Sequence, residues 1–354
     1  MGLRCQPQEA ECTNFYPIIS SASADRGSDS VRKGGTGRKV SYRFPNRADP
    51  SSISNYPELK NSFPELWKLA LCDLIRQTPR MSEITIAFLG DIFGTPGRHV
   101  VKQQLPALRA DHQPELVIAN AENVKSGLGL SPALYHKLRN YGIDAMTLGD
   151  HVYRDQSITS ILEDPNEPLS RPANLSEKAC GKTYIRLPPT ENRTKSVFVI
   201  TVLGRIFLSM PADDPFVAVD RILEKLPEKD PIVIVEAHME ATSEKAALAH
   251  YLDGRVALVV GTHTHVPTAD ARILPKGTGF ITDLGMCGPY RSIIGRDIES
   301  VIHRMTTGMF IPYGMGKGEE AMSGVLTRID ETTGRTTQID LIRYEADDSQ
   351  PPFG

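Results

Sequence analysis

The sequence predicts an α/β fold in which helices cover the sheets. From residue 84 onward, apolar runs of strand length alternate with stretches of helical periodicity, a pattern typical of α/β proteins. The strand-like runs are apolar at consecutive positions, as in ITIAFL (84–89). Both faces of such strands should therefore be covered by other layers. The chain has 354 residues, 40% of them hydrophobic and 23% charged, which suits a packed core.

The first strand is predicted at 84–90 and is followed by a helix. Pro96 suits the first turn of that helix, where its missing N–H costs nothing. An apolar stripe at Val100, Val101, Leu105 and Leu108 has helical spacing. The second strand is predicted at 116–120 and the third at 143–148. Between them, a helix at 132–140 begins after Ser131, a favourable capping residue.

The later elements continue the alternation. Further strands are predicted at 197–202, 232–235, 256–260 and 279–282, and further helices at 215–225, 243–251 and 297–305. The last segment, 323–344, alternates in polarity around a turn at 331–334, which predicts a terminal hairpin.

Residues 1–80 differ in composition from the rest of the chain. They carry 12 Lys and Arg against 8 Asp and Glu, whereas the remainder carries 28 against 35. This segment is rich in Ser, Gly, Pro and Asn, so it cannot bury enough apolar surface to offset chain entropy. Two interpretations remain open: a disordered extension, or a gene-model artefact in which translation starts at Met81. We accordingly predict an extension (1–80), one domain (81–345) and a flexible C-terminal tail (346–354).

Bulk properties favour a cytoplasmic protein. The formal net charge of −3 creates no global attraction for long nucleic acids or anionic membranes. We find no apolar run long enough to span a bilayer and no signal peptide. The five cysteines are scattered and form no CxxC pair, which indicates neither a disulfide framework nor a thiolate zinc site.

Polar residues follow five of the predicted strands directly. These positions are Asp91; Glu122 with Asn123; Asp150 with His151; Glu236 with His238; and GTHTH (261–265). In open α/β sheets, ligands bind beyond the carboxyl ends of the strands, so these segments should converge. Carboxylates, amides and imidazoles together are typical ligands of divalent transition metals.

The distribution of histidines strengthens this prediction. Four of the nine lie at strand ends, namely His151, His238, His263 and His265. A single such histidine is more often a hydrogen-bonded core or loop residue. Four of them beside these acids are harder to explain in this way, because burying several unpaired charges costs several kcal/mol each. A metal cluster removes that cost.

Taken in order, these motifs resemble the signature blocks of the calcineurin-like metallophosphoesterases, and most closely the bacterial YmdB-like branch. Supporting stretches are GDIFGTPGR (90–98), NAENVKSGLGL (120–130), GDH (149–151), RPAN (171–174), EATSEK (240–245), DGRVALVVGTHTHVPTAD (253–270) and ITDLGMCGPY (281–290). The resemblance covers residues 84–345 and none of residues 1–80. It implies a four-layer α/β/β/α sandwich with a dinuclear metal centre between two sheets.

The resemblance also implies a set of metal ligands. One metal would be held by Asp91, Glu122, Asn123 and His265, and the other by Glu122, Asp150, His238 and His263. Glu122 would bridge the two ions. The family is associated with iron, and related enzymes accept manganese. His151 would be the catalytic imidazole beside them.

One residue departs from the family pattern. The third block usually reads Gly-Asn-His, but this chain has Asp150 between Gly149 and His151. Aspartate also donates an oxygen, so metal binding need not be lost. Its charge should tighten metal binding, but it should also repel a phosphate, and the carboxylate lacks the N–H donors of asparagine.

The implied activity is hydrolysis of a cyclic nucleotide, first of all 2′,3′-cyclic, by a hydroxide that bridges the two metals. His151 would protonate the leaving alkoxide. Arg205, Arg171 and Asn174 are predicted substrate contacts, although each could instead form a surface ion pair or brace a loop. Two alternatives stay open: a regulatory protein with low turnover that binds metal and nucleotide, and a phosphomonoesterase or phosphoesterase that acts on RNA ends. We also expect a homo-oligomer and no membrane partner.

Overall fold

The computed structural model describes residues 83–347. The predicted extension at 1–80 and residues 348–354 of the predicted tail lie outside the described residues. The first two tail residues bond to the domain: the Ala346 N–H donates to the carbonyl of Glu320 at 2.8 Å, and the Asp347 N–H donates to Gln103 Oε1 at 2.8 Å.

Strands and helices alternate along the described residues. The strands are β1 (Glu83–Leu89), β2 (Asp91–Ile92), β3 (Leu116–Asn120), β4 (Ala145–Thr147), β5 (Leu169–Ser170), β6 (Ile185–Leu187), β7 (Val197–Leu203), β8 (Ile232–His238), β9 (Leu258–Thr262), β10 (Arg272–Ile273), β11 (Gly279–Ile281), β12 (Met286–Pro289), β13 (Glu320–Asp330) and β14 (Arg335–Glu345). The helices are α1 (Gly94–His112), α2 (Pro132–Tyr141), α3 (Thr159–Glu163), α4 (Pro215–Leu223), α5 (Thr242–Leu252) and α6 (Ile298–Thr307).

These strands form two sheets. The first has the order β2-β12-β13-β1-β3-β4-β5, with β14 paired to β13, and the second has the order β10-β11-β9-β8-β7-β6. The centre of each sheet is parallel: β1 pairs with β3 and β3 with β4, while β7 pairs with β8 and β8 with β9. Parallel neighbours end at the same edge, so the polar residues that follow them are brought together.

Three apolar layers separate four layers of structure. Ile84, Ile86 and Phe88 of β1 pack between the two sheets, against strands β7, β8 and β9. The alternate residues Ala87 and Leu89 face α1 and α2 on the outer side of the first sheet. In the same way, alternate residues of β7 and β8 face α4 and α5. The predicted four-layer α/β/β/α sandwich is confirmed.

Local sequence signals explain where the helices begin. The Ser131 hydroxyl accepts from the Leu134 N–H at 3.4 Å, which confirms the predicted cap of α2. However, α1 begins at Gly94, two residues before Pro96, because the chain already turns into the helix directly after β2. None of the helices described is both long and apolar enough to cross a bilayer.

Two strands run further than the sequence predicts. Strand β8 continues through Glu236 and His238, and β9 continues to Thr262. The polar side chains do not end the strands, because ladder pairing continues: Glu236 lies opposite Thr201 of β7 and Val260 of β9, and Thr262 lies opposite His238. The short strands β2, β5, β6, β10 and β12 and the short helix α3 were not predicted, since two to five residues carry too little periodicity.

A buried ion pair fixes the loop after β9. Lys245 Nζ of α5 lies 2.6 Å from Asp283 Oδ2, and both side chains are buried. The same carboxylate accepts from the Thr264 N–H at 3.2 Å and from the Gly285 N–H at 2.8 Å. Asp283 therefore orients this loop, at the place where His263 and His265 lie on either side of Thr264.

Lys245→Met should destabilise the domain by about 3–5 kcal/mol, because it leaves a buried carboxylate without its partner. Arg255→Met is the matched control: Arg255 lies 2.6 Å from Asp220 but at the surface, and its removal should cost under about 1 kcal/mol. Denaturant unfolding measures both changes. Equal losses in the two variants would contradict a special role for the buried pair.

Candidate metal centre

The structure brings together the seven predicted metal ligands and His151. Asp91 opens β2, Glu122 and Asn123 follow β3, and Asp150 and His151 follow β4 in the first sheet. The second sheet contributes His238 at the end of β8 and the loop with His263 and His265 after β9.

One group of donors matches the predicted second metal site. Glu122, Asp150, His238 and His263 each offer one ligand atom, and these atoms lie within 4.8 Å of one another. His238 Nε2 lies 3.1 Å from Asp150 Oδ1 and 3.4 Å from Glu122 Oε1. His263 Nδ1 lies 3.4 Å from the same Asp150 oxygen. Such a cluster of carboxylate oxygens and imidazole nitrogens suits a divalent transition metal.

A second group adjoins the first through Glu122. The amide nitrogen of Asn123 lies 3.3 Å from Asp91 Oδ1, 3.1 Å from Glu122 Oε1 and 3.2 Å from His265 Nε2. Asp91 Oδ1, Glu122 Oε1 and His265 Nε2 therefore surround one point, and the amide nitrogen of Asn123 lies at that point. A half-turn of the amide would place its oxygen on that side, which would complete the predicted first ligand set.

Outer partners fix the direction of each imidazole. His238 Nδ1 lies 2.9 Å from Thr262 Oγ1, and His265 Nδ1 lies 2.9 Å from the carbonyl of Ile294. In both residues Nε2 is thus left facing the carboxylates. His263 is turned the other way: its Nε2 lies 3.2 Å from Glu240 Oε2, and its Nδ1 faces the centre. Contacts of this kind orient metal-binding histidines and raise their basicity.

A buried carboxylate supports the floor of the centre. Glu236 accepts from Asn120 Nδ2 at 2.8 Å, from Thr262 Oγ1 at 2.8 Å and from Thr201 Oγ1 at 2.7 Å. Burial raises the pKa of this carboxyl group. Thr262 in turn contacts His238, so the network positions that imidazole. The sequence placed Glu236 at a strand end but did not reveal this role. The available signal was its spacing of two from His238, which puts both side chains on one face of β8.

The charges of the centre balance each other. Burial alone would raise the pKa of Asp91, but the hydrogen bond and charge of His265 hold it well below its usual range. Burial would lower the pKa of His238, yet the charge of Glu122 and the hydrogen bond to Asp150 raise it well above its usual value. The carboxylates thus require positive charge beside them. Metal ions bound by neutral imidazoles would supply it equally well, so the donor set fits the implied metals.

The loop after β9 adopts an uncommon backbone conformation. His263 has φ 94° and His265 has φ 65°, a region that non-glycine residues rarely occupy. The Asp283 contact to Thr264 holds this loop, and the His263 N–H donates to Asp91 Oδ2 at 3.2 Å. Strain of this kind concentrates at functional sites.

A glycine in the GDH block makes room for the centre. A Cβ at Gly149 would lie 2.2 Å from His238 Nε2, so a larger residue would push the imidazole away. Gly261 of the GTHTH block is similarly confined, because its Cβ would lie 1.7 Å from the carbonyl oxygen of Thr282. Gly149 therefore allows the two sheet edges to approach, and Gly261 allows the segments after β11 and at the end of β9 to approach within the second sheet.

His151 lies at the mouth of the centre. Its backbone N–H donates to Glu122 Oε2 at 2.9 Å, and its Nδ1 lies 3.0 Å from Asn123 Oδ1. The side chain is 24% exposed, unlike the buried His238. Its Nε2 lies 3.7 Å from Asp150 Oδ2, beyond hydrogen-bonding distance. One ring nitrogen is thus held in place while the other can face a substrate.

The three predicted substrate contacts engage other groups. Arg171 donates to the carbonyls of residues 172, 176 and 181, and Asn174 brackets Leu203 by donating to its carbonyl and accepting from its N–H. Arg205 lies 3.5 Å from Asp214 at the surface. These contacts support the alternatives of loop bracing and surface pairing.

Known proteins resemble this chain over most of the described residues. The model of the family described as YmdB-like protein matches residues 87–342. The 2′,3′-cyclic-nucleotide 2′-phosphodiesterase of Bacillus subtilis (strain 168) is 43% identical over 265 residues, which are 74% of this chain and 97% of that protein. A putative phosphatase/phosphodiesterase of Mycoplasma pneumoniae is 34% identical over 271 residues, 76% of this chain and 95% of its own length.

Two solved structures are also similar to this chain. A hypothetical protein from Thermus thermophilus is 42% identical with a TM-score of 0.69, and the match covers 75% of this chain and 100% of that one. A phosphatase from Mycoplasma pneumoniae is 32% identical with a TM-score of 0.69, covering 77% and 99% respectively. The predicted resemblance is confirmed, and the chain belongs to the YmdB-like protein family.

Proposed function

We propose that this protein is a dinuclear-metal phosphodiesterase that hydrolyses cyclic nucleotides, with 2′,3′-cyclic nucleotides as the main substrates. The observation that carries the proposal is the meeting of two adjacent donor groups that share Glu122. The name of the relative from Bacillus subtilis gives the substrate class.

Each donor group would hold one metal ion. Asp91, Asn123 and His265 would bind the first, Asp150, His238 and His263 the second, and Glu122 would contact both. When bound, such a pair of ions lowers the pKa of water to give a hydroxide nucleophile at neutral pH and neutralises charge on the phosphate oxygens. Iron is the expected metal, and manganese is the alternative.

His151 is the proposed general acid. The Asn123 amide, 3.0 Å from Nδ1, holds the ring in place. In the imidazolium form Nε2 also carries a proton, which would face the leaving group and could be donated to the departing alkoxide, leaving a neutral imidazole. In a 2′,3′-cyclic nucleotide this alkoxide is a ribose oxygen, and relief of ring strain assists its departure.

A second function is kept open by Asp150. Its Oδ1 lies close to both His238 and His263, so its charge would add to metal binding while repelling a phosphate. A protein of this kind could bind metal and nucleotide tightly and turn over slowly, which would suit regulation. A phosphomonoesterase or a phosphoesterase acting on RNA ends remains the enzymatic alternative, since the same donors would serve each ester.

A substrate panel tests the proposed function. With manganese or iron supplied, the purified protein should hydrolyse 2′,3′-cyclic nucleotides with higher kcat/KM than 3′,5′-cyclic nucleotides, p-nitrophenyl phosphate or short RNA. The reason is that hydrolysis of the 2′,3′-cyclic phosphodiester relieves the strain of its ring. Product analysis by chromatography measures each rate. A preference for p-nitrophenyl phosphate or RNA ends would assign one of the alternative esterase activities instead.

His151→Ala should lower kcat by about 10²–10⁴-fold, because the leaving alkoxide loses its proton donor. Bound metal, measured by elemental analysis, should not change, since His151 is not a proposed ligand. His136→Ala removes an exposed imidazole from α2 and is the matched control. An unchanged rate in His151→Ala would remove His151 from the mechanism.

Asp150→Asn should weaken metal binding, because one ligand charge is lost, while kcat should change by less than about tenfold if the natural protein is a competent enzyme. Metal titration and steady-state kinetics measure the two effects separately. A gain of about a hundredfold or more in kcat would favour the regulatory function, with Asp150 as the residue that attenuates turnover.

A further inference from the structure

Arg296 is an arginine without a charge partner near the metal centre. Within residues 83–347, its guanidinium group makes no hydrogen bond and no ion pair. The side chain is nevertheless half-buried, and burial lowers its pKa. A partly desolvated cation with no anion beside it is unfavourable, which indicates that an anionic partner is missing.

Aromatic packing fixes the guanidinium relative to a metal ligand. The central carbon of Arg296 lies 5.0 Å from the ring centroid of Phe93, within cation–π range. The Phe93 ring in turn packs edge-on against His265, with centroids 5.4 Å apart. The guanidinium, the ring and the imidazole thus form a continuous stack that ends at the metal centre.

Two glycines clear space for the guanidinium of Arg296 and for the Phe93 ring against which it packs. A Cβ at Gly127 would lie 2.5 Å from Arg296 Nη2 and 3.6 Å from Asn123 Oδ1, so these two atoms lie within about 6 Å of each other. A Cβ at Gly295 would lie 2.6 Å from the Phe93 ring. Both glycines have positive φ, 81° and 95°, which suits this residue type. The backbone is therefore shaped to seat the guanidinium beside Asn123.

Two other arginines described near the centre do not share this property. Arg98 donates to the carbonyl of Val124 and to Thr95 Oγ1, and Arg205 pairs with Asp214. Arg296 keeps its N–H donors available. A guanidinium fork matches the geometry of phosphate oxygens, and charge-assisted hydrogen bonds of this kind are short and strong.

We propose that Arg296 is a substrate-binding residue that donates to a phosphate oxygen of the ester bound at the metal centre. This inference rests on the proposed phosphodiesterase function for its substrate, although the binding of phosphate itself tests it independently. Arg296 Nη2 lies within about 6 Å of Asn123 Oδ1, close enough for one bound phosphate group to contact both the guanidinium and the proposed first metal site.

The experiment compares natural protein, Arg296→Met and Arg296→Lys, all loaded with manganese. Arg272→Met is the matched control, since Arg272 lies 4.8 Å from the Phe280 ring but pairs with Asp270 at 3.0 Å. Three quantities are measured: bound manganese, the Kd of inorganic phosphate by calorimetry, and KM and kcat for 2′,3′-cyclic adenosine monophosphate.

Arg296→Met should raise the Kd of phosphate and the KM of the nucleotide by about tenfold or more, with manganese content unchanged. The Kd and KM of Arg296→Lys should lie between those of the natural protein and Arg296→Met, because lysine keeps the positive charge but lacks the paired N–H donors of a guanidinium group. Arg272→Met should match the natural protein.

The proposal would be overturned if the Kd of phosphate changed by less than about twofold in Arg296→Met. A raised KM with unchanged phosphate affinity would also overturn it, because the contact would then be to the nucleoside. Loss of manganese in the variant would overturn it as well, because the role of Arg296 would then be structural. If the natural protein binds phosphate through Arg296 but hydrolyses no nucleotide, the proposed function fails while this assignment stands.

Discussion

The arrangement of the metal centre depends on one constraint: its buried carboxylates must have positive charge beside them. Asp91 and Glu122 are fully buried where the two sheets meet, and Asp150 lies beside them. Carboxylates placed so close together would repel one another and would become protonated in an apolar interior. The imidazoles of His238, His263 and His265 come within 3.1–3.6 Å of these carboxylates. The same donors would serve a pair of cations, and this requirement accounts for their common location.

The fold meets this requirement through parallel strands and close backbone approach. Strands β1, β3 and β4 end at one edge of the first sheet, and β7, β8 and β9 end at the facing edge of the second. Gly149 lets these edges approach, because a side chain there would meet His238. The buried ion pair of Lys245 with Asp283 then holds the strained loop of His263 and His265. Stability and site geometry are thus coupled through the carboxylate of Asp283, which is not one of the proposed metal ligands.

Much of this arrangement could be predicted from the sequence. Apolar runs followed at once by acid or histidine identify strand ends, and parallel topology brings those ends together, so the meeting of these side chains could be predicted. Their assignment to two metal sites came from the family resemblance. What could not be predicted depends on contacts between distant segments. Glu240 beside His263, and the network from Glu236 through Thr262 to His238, join positions with no shared periodicity. Arg296 was missed because a single arginine in a loop has no sequence pattern. Arg171 and Asn174 resembled pocket residues, but their hydrogen bonds to the backbone appear only in three dimensions.

The shared position of Glu122 is the central claim, and metal stoichiometry tests it most directly. Purified protein loaded with manganese or iron should hold about two ions per chain by elemental analysis. Glu122→Gln should weaken both sites, whereas Asp91→Asn should weaken one and leave the other filled. A natural protein that retains no metal under these conditions, or a Glu122→Gln variant that still binds two ions with unchanged affinity, would contradict the account.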